Sequence, residues 1–164
     1  GVAGTFADAN LFRWDIENGG QAVQLTNYTA TAVGTAGTGT MTNPLKCLES
    51  LVVSDDGNWV AWAERVGNAS TATSPEVVMS MNLTTNAITQ NSGSQASQTV
   101  TDGTIRFVGG ASPYGLVWTL GTGASTTVPV ANQVVQFATL GSSTPITISA
   151  APSGTRYYNV IGTH

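Results

Sequence analysis

The stretch S-D-D-G-N-W-V-A-W-A, residues 54–63, sets two carboxylates and a glycine directly ahead of Trp59, Val60, Ala61 and Trp62. Asp and Asn before Gly favour tight turns, because their side chains bond the local backbone and Gly accepts a positive φ. The apolar run that follows fits a strand. Asp55, Asp56 and Gly57 are therefore expected to shape a turn that feeds a strand. The competing reading, a calcium site, needs oxygens converging from several segments.

The same pattern recurs along the chain. D-D-G-N-W-V-A-W-A (55–63), T-D-G-T-I-R-F-V-G (101–109) and P-S-G-T-R-Y-Y-N-V (152–160) each run from polar residues through Gly to a strand rich in large side chains. Asp102, Gly103 and Gly154 are the matching turn residues, and the glycines recur at roughly the spacing of one repeat. A second pattern alternates with the first. L-F-R-W-D-I-E-N-G-G-Q-A-V-Q-L (11–25), V-M-S-M-N-L-T-T-N-A-I-T-Q (78–90) and V-V-Q-F-A-T-L-G-S-S-T-P-I-T-I (134–148) each read as strand, turn, strand. That is hairpin chemistry. No segment has a helical period.

A strand pair followed by its hairpin makes a four-stranded antiparallel unit of roughly 40–50 residues, the period of a propeller blade. The sequence predicts a single all-β domain over 1–164. It divides into a half-blade at 1–27, blades at 45–92 and 99–149, and a half-blade at 151–164. About three blades result, incomplete at both ends. A β-sandwich is the alternative fold.

Residues 11–27 and 52–90 carry a family resemblance. S-D-D-G-N-W-V-A-W-A followed by V-M-S-M-N-L-T-T-N-A-I-T-Q resembles a repeat of the TolB-type (WD40-like, PD40) β-propellers, and L-F-R-W-D-I-E-N-G-G-Q-A-V-Q-L-T resembles the second half of that repeat. In residues 100–164 the pattern departs, with P-S-G standing in place of D-D-G. The resemblance implies that Asp55, Asp56 and Gly57 are structural and that Trp59 and Trp62 pack between blades.

Composition limits the function classes. Charged residues make up 9% of the chain against a usual quarter, and small and hydroxyl residues take their place. Such a surface suits a secreted or assembled protein rather than a crowded cytosol. Lys46 is the only lysine, and Arg13, Arg65, Arg106 and Arg156 form no run, so no nucleic-acid footprint is present. Cys47 is the sole cysteine, which leaves no internal disulfide framework and no paired-cysteine metal motif. No apolar run is long enough to span a membrane as a helix. Asn27, Asn68 and Asn82 head three sequons, candidate glycosylation sites on a secreted chain.

Catalytic chemistry finds little to work with. The only histidine is His164, the last residue, so no serine or cysteine has an evident base. The acids form no recognisable facing pair of the kind a glycosidase needs. The Gly-rich runs at 34–40 and 121–127 lack the lysine and strand-to-helix setting of a phosphate loop. Aromatic residues inside the repeats are expected in the core. Tyr114, in a G-A-S-P-Y-G turn, and Trp118 are candidates for stacking a glycan ring.

The expectation is a structural, non-enzymatic, self-assembling subunit, extracellular or on a cell surface. It uses no cofactor, and its partners are copies of itself joined by completing each other's repeats into a fibre or surface assembly. Alternatives are a propeller-type module binding a protein or glycan, a fragment of a longer TolB-like propeller, and a hydrolase on a propeller scaffold. A polar pocket holding two acids would mark the hydrolase. An exposed Tyr114 or Trp118 would mark glycan binding, and strand pairing across chains would mark assembly.

Overall fold

The computed structural model describes residues 10–27, 47–65, 76–92, 98–100, 104–110, 112–122 and 133–150. Among them there are strands and turns and no helix, as the sequence predicts. A short hairpin joins β1 (Phe12–Arg13) to β2 (Val23–Gln24). An antiparallel meander follows, with β3 (Cys47–Val53), β4 (Trp59–Arg65), β5 (Glu76–Asn82) and β6 (Ile88–Gln90) in chain order. A second sheet holds β7 (Gln98–Val100), β8 (Arg106–Val108), β9 (Gly115–Thr122), β10 (Val134–Thr139) and β11 (Ile146–Ala150).

The second sheet is also a four-position meander. β7 pairs with the far end of β9 (Val100 opposite Leu120) and β8 with its near end (Arg106 opposite Val117). The two segments share one edge of β9 and run in the same direction. Thr104 spans the break: its hydroxyl accepts the Thr119 N–H at 3.1 Å, a bond the ladder would otherwise supply.

The reversal into β9 lies between Val108 and Gly115, where the Tyr114 N–H donates to the Val108 carbonyl at 3.1 Å. Asp102 and Gly103 lie outside the described residues, as do Gly154 and the 151–164 segment.

Strand alternation assigns each face. Ala61, Ala63 and Val78 of the first sheet pack with Ile105, Leu116, Trp118, Leu120 and Ala138 of the second in one buried cluster. The small side chains on β4 leave room for Trp118. On the opposite face of the first sheet, Val60, Trp62 and Met81 are buried, and Leu11 and Leu25 of the hairpin pack against them. The order of layers is hairpin, first sheet, second sheet. Each fully buried tryptophan, Trp62 and Trp118, sits on the second strand position of its meander and points toward the preceding layer. Burying side chains of this size stabilises by about 1.5–3 kcal/mol each. The layered arrangement accounts for Trp62 between layers, while Trp59 is half-buried at the start of β4.

Candidate functional site

The 54–59 turn is a closed structural unit. Ser54 N–H donates to the Trp59 carbonyl at 3.0 Å, and Gly57 N–H donates to the Ser54 carbonyl at 2.9 Å. The Ser54 hydroxyl donates to Asp56 Oδ1 at 2.6 Å and accepts the Trp59 N–H at 3.0 Å. Asp56 Oδ1 also accepts the Asn58 N–H at 3.0 Å, and Oδ2 accepts the Asn58 side-chain amide at 3.1 Å. These bonds to Ser54 and then Asn58 hold the Asp56 carboxyl below its ordinary range. Gly57 takes φ +69°, which a side chain would strain. Both Asp56 oxygens are engaged in shaping the turn.

Turns of this kind recur. Asp15 Oδ1 accepts the Asn18 N–H at 3.1 Å and Oδ2 the Asn18 amide at 2.6 Å, which lowers the Asp15 carboxyl in the same way. Asn82 Oδ1 accepts the N–H groups of Thr84 and Thr85 at 2.9 and 3.0 Å. Asn82, a sequon residue, therefore has its carbonyl oxygen committed to its own turn. Asn27 is exposed, and Asn68 lies outside the described residues.

The two stacking candidates separate. Tyr114 is 60% exposed. Its backbone is pinned between β8 and the end of β10, since its carbonyl accepts the Leu140 N–H at 3.0 Å. Its ring leans on Phe137 with centroids 6.0 Å apart. Gly109 and Gly115 make room here, because a Cβ at either would overlap the Tyr114 or Phe137 ring. Trp118, by contrast, is fully buried between the sheets and offers no face to a sugar. Its position on the inward side of β9 is the physical reason: Leu116, Trp118 and Leu120 all face the first sheet.

The acids whose side chains are described are dispersed. Asp15 and Glu17 lie on the first hairpin turn, and Asp55 and Asp56 lie on the 54–59 turn. Glu64 is buried on β4 and accepts the Trp62 indole N–H at 3.3 Å. Among the described residues, no group of three or more His, Cys, Asp or Glu side chains is placed to hold a metal. Among the same residues, no helix is long and apolar enough to cross a membrane.

The most informative surface is the outer side of the hairpin. Leu25 N–H donates to the Leu11 carbonyl at 2.7 Å, and Asn91 N–H donates to the Val78 carbonyl at 2.7 Å. Leu11 N–H donates to Thr26 Oγ1 at 2.9 Å, and Val78 N–H donates to Ser92 Oγ at 3.0 Å. Phe12 lies opposite Gln24, as Met79 lies opposite Gln90. The four-residue offset from the capping Asp15 or Asn82 reaches Gly19 at φ +62° or Asn86 at φ +59°. Residues 11–26 thus reproduce the closing bonds and the strand register of the third and fourth strands of the first sheet, with one more residue in the loop. Phe12 and Trp14 stand where Met79 and Met81 stand.

Their surroundings differ. Met81 is 1% exposed beneath the hairpin, whereas Phe12 and Trp14 are 59% and 61% exposed. The core position expected for Trp14 is not what the structure shows: its indole N–H donates to the Gly20 carbonyl at 2.6 Å and its ring faces outward. The sequence signal missed here is the hydroxyl residue closing each hairpin, Thr26 and Ser92, which marks the matched positions. Compared with family models, curated proteins and solved structures, the chain finds no match in any of the three.

Proposed function

We propose that this chain is a structural, self-assembling extracellular subunit, without catalytic function, whose copies join through open layers of a propeller-like stack. One observation carries the reading. The hairpin resembles the 78–92 unit, yet among the described residues nothing covers the face that the preceding layer covers in that unit, and Phe12 and Trp14 are exposed. Contiguous exposed apolar residues of this kind mark interaction sites on soluble proteins. The exposed edge strands agree with it: Leu51 and Val53 on β3 and Ile146 and Ile148 on β11 are each more than half exposed. Extracellular placement rests on the low charge, the single lysine and the sequon at exposed Asn27.

The exposed, backbone-pinned ring of Tyr114 favours a second reading, a module that binds a glycan or a protein on that surface. A longer TolB-like propeller would cover the hairpin face with a layer of its own. Light scattering and electron microscopy of one native sample decide between these. Polymers or fibres whose mass rises with concentration are the expected result. A particle of one chain at every concentration overturns self-assembly and passes the argument to the binding module.

A further inference from the structure

We infer that a water molecule binds in the interior, between the two sheets, held by Trp118, Gln136 and Ser80. Trp118 lies on β9, and Gln136 is its cross-strand partner on β10. Paired positions carry their side chains on one face, with Cβ atoms about 5 Å apart. That face is the one turned to the first sheet, because Trp118 and Ala138 join Ala61, Ala63 and Val78 in one buried cluster. Ser80 stands on the facing side of the first sheet. It is two residues beyond Val78 on β5 and opposite Ala61 on β4, and both of those residues point to the second sheet.

All three side chains are buried, Trp118 and Ser80 at 0% exposure and Gln136 at 8%. Each holds a buried polar atom with no hydrogen-bond partner among the described residues: Trp118 Nε1, Gln136 Oε1 and Ser80 Oγ. Native proteins rarely leave such atoms unpaired, because each then bears its full desolvation cost. The three are chemically complementary. The indole N–H can only donate, the Gln136 amide oxygen can only accept, and the Ser80 hydroxyl can do either. Trp118 and Gln136 sit side by side, yet make no direct bond. A water molecule serves all three: its oxygen accepts the indole N–H, one O–H donates to Gln136 Oε1, and the other donates to Ser80 Oγ. Three partners is the usual number for a buried water. The three side chains are neutral and the indole N–H repels a cation, so the site takes a neutral molecule rather than a metal ion. Facing Trp118, the first sheet presents the small side chains of Ala61, Ala63 and Ser80, which leave the space. Asn91 makes the direct form of such a link, donating from the end of the first sheet to the Ser142 carbonyl of the second at 3.0 Å.

The unmodified protein gives the first test. A crystal structure that shows ordered water, with NMR cross-peaks between the Trp118 indole proton and water, is expected to place one long-lived water within hydrogen-bond distance of all three atoms. A direct bond from Trp118 to Gln136, or an indole proton with no water cross-peak, overturns the site. Gln136→Met keeps the volume and removes the acceptor, so the cross-peak is expected to disappear and the melting temperature to fall. A cross-peak of unchanged strength in this variant overturns the role of Gln136. Should Gln136→Met fail to fold, Ser80→Ala takes its place. Loss of that one hydrogen bond is expected to shorten the residence of the water roughly tenfold, and an unchanged residence time overturns the site.

Discussion

The hairpins at 11–26 and 78–92 share a closing backbone bond, a hydroxyl closure and a left-handed turn residue, yet one buries its apolar face and the other displays it. Local chemistry makes the hairpin in both places: an Asx side chain caps the turn and a Ser or Thr closes the strands. Tertiary context decides the rest. The 78–92 hairpin lies in a four-stranded sheet between two layers, while the 11–26 hairpin lies on the outside of the stack. Two strands alone are marginal in water, so the first hairpin is held by the packing of Leu11 and Leu25 on the first sheet.

The comparison can be broken first at its tryptophans. Trp62→Ala empties a buried site and removes the donor to the Glu64 carboxylate, with an expected loss of about 3–5 kcal/mol in denaturant unfolding. Trp14→Ala in dilute, monomeric protein is expected to change stability by only about 0.5 kcal/mol. A loss of similar size at both positions would mean that Trp14 is covered within one chain. The hydroxyl closures come next. Ser92→Ala and Thr26→Val each strand a strand N–H, and each is expected to cost about 1–3 kcal/mol. Similar costs sharpen the equivalence, and a negligible cost at Thr26 breaks it.

Smaller effects come from the turns. Gly57→Ala forces a side chain into the left-handed region and is expected to lower stability by about 1–2 kcal/mol. Acid acts on the capping carboxylates. Bonds from Ser54 and Asn58 lower the Asp56 carboxyl, and bonds from Asn18 lower that of Asp15. Their contribution is present above the ordinary value of 3.8 and fades as pH falls through the lowered folded value. Asp56→Asn is expected to flatten the melting temperature below that pH, and an unchanged acid limb would remove Asp56 from the account.

Much of this was legible in the sequence. The antiparallel strands, the hairpin pattern and the turn role of Asp55, Asp56 and Gly57 follow from turn residues and apolar alternation, which act over a few neighbours. Trp118 and Trp14 exchanged their expected places. An aromatic residue on a strand has the same local signal on either face, and only the stacking order tells which face is covered. The equivalence of the two hairpins rests on hydrogen bonds that span 14 or 15 residues, beyond the reach of local sequence signals.

The most direct measurement is hydroxyl-radical footprinting of the native protein across a concentration series, read residue by residue by mass spectrometry. The account predicts that Trp14 is oxidised readily in dilute solution and becomes protected as light scattering rises, while Trp62 and Trp118 are protected throughout. A Trp14 oxidation rate that does not change with concentration would contradict it.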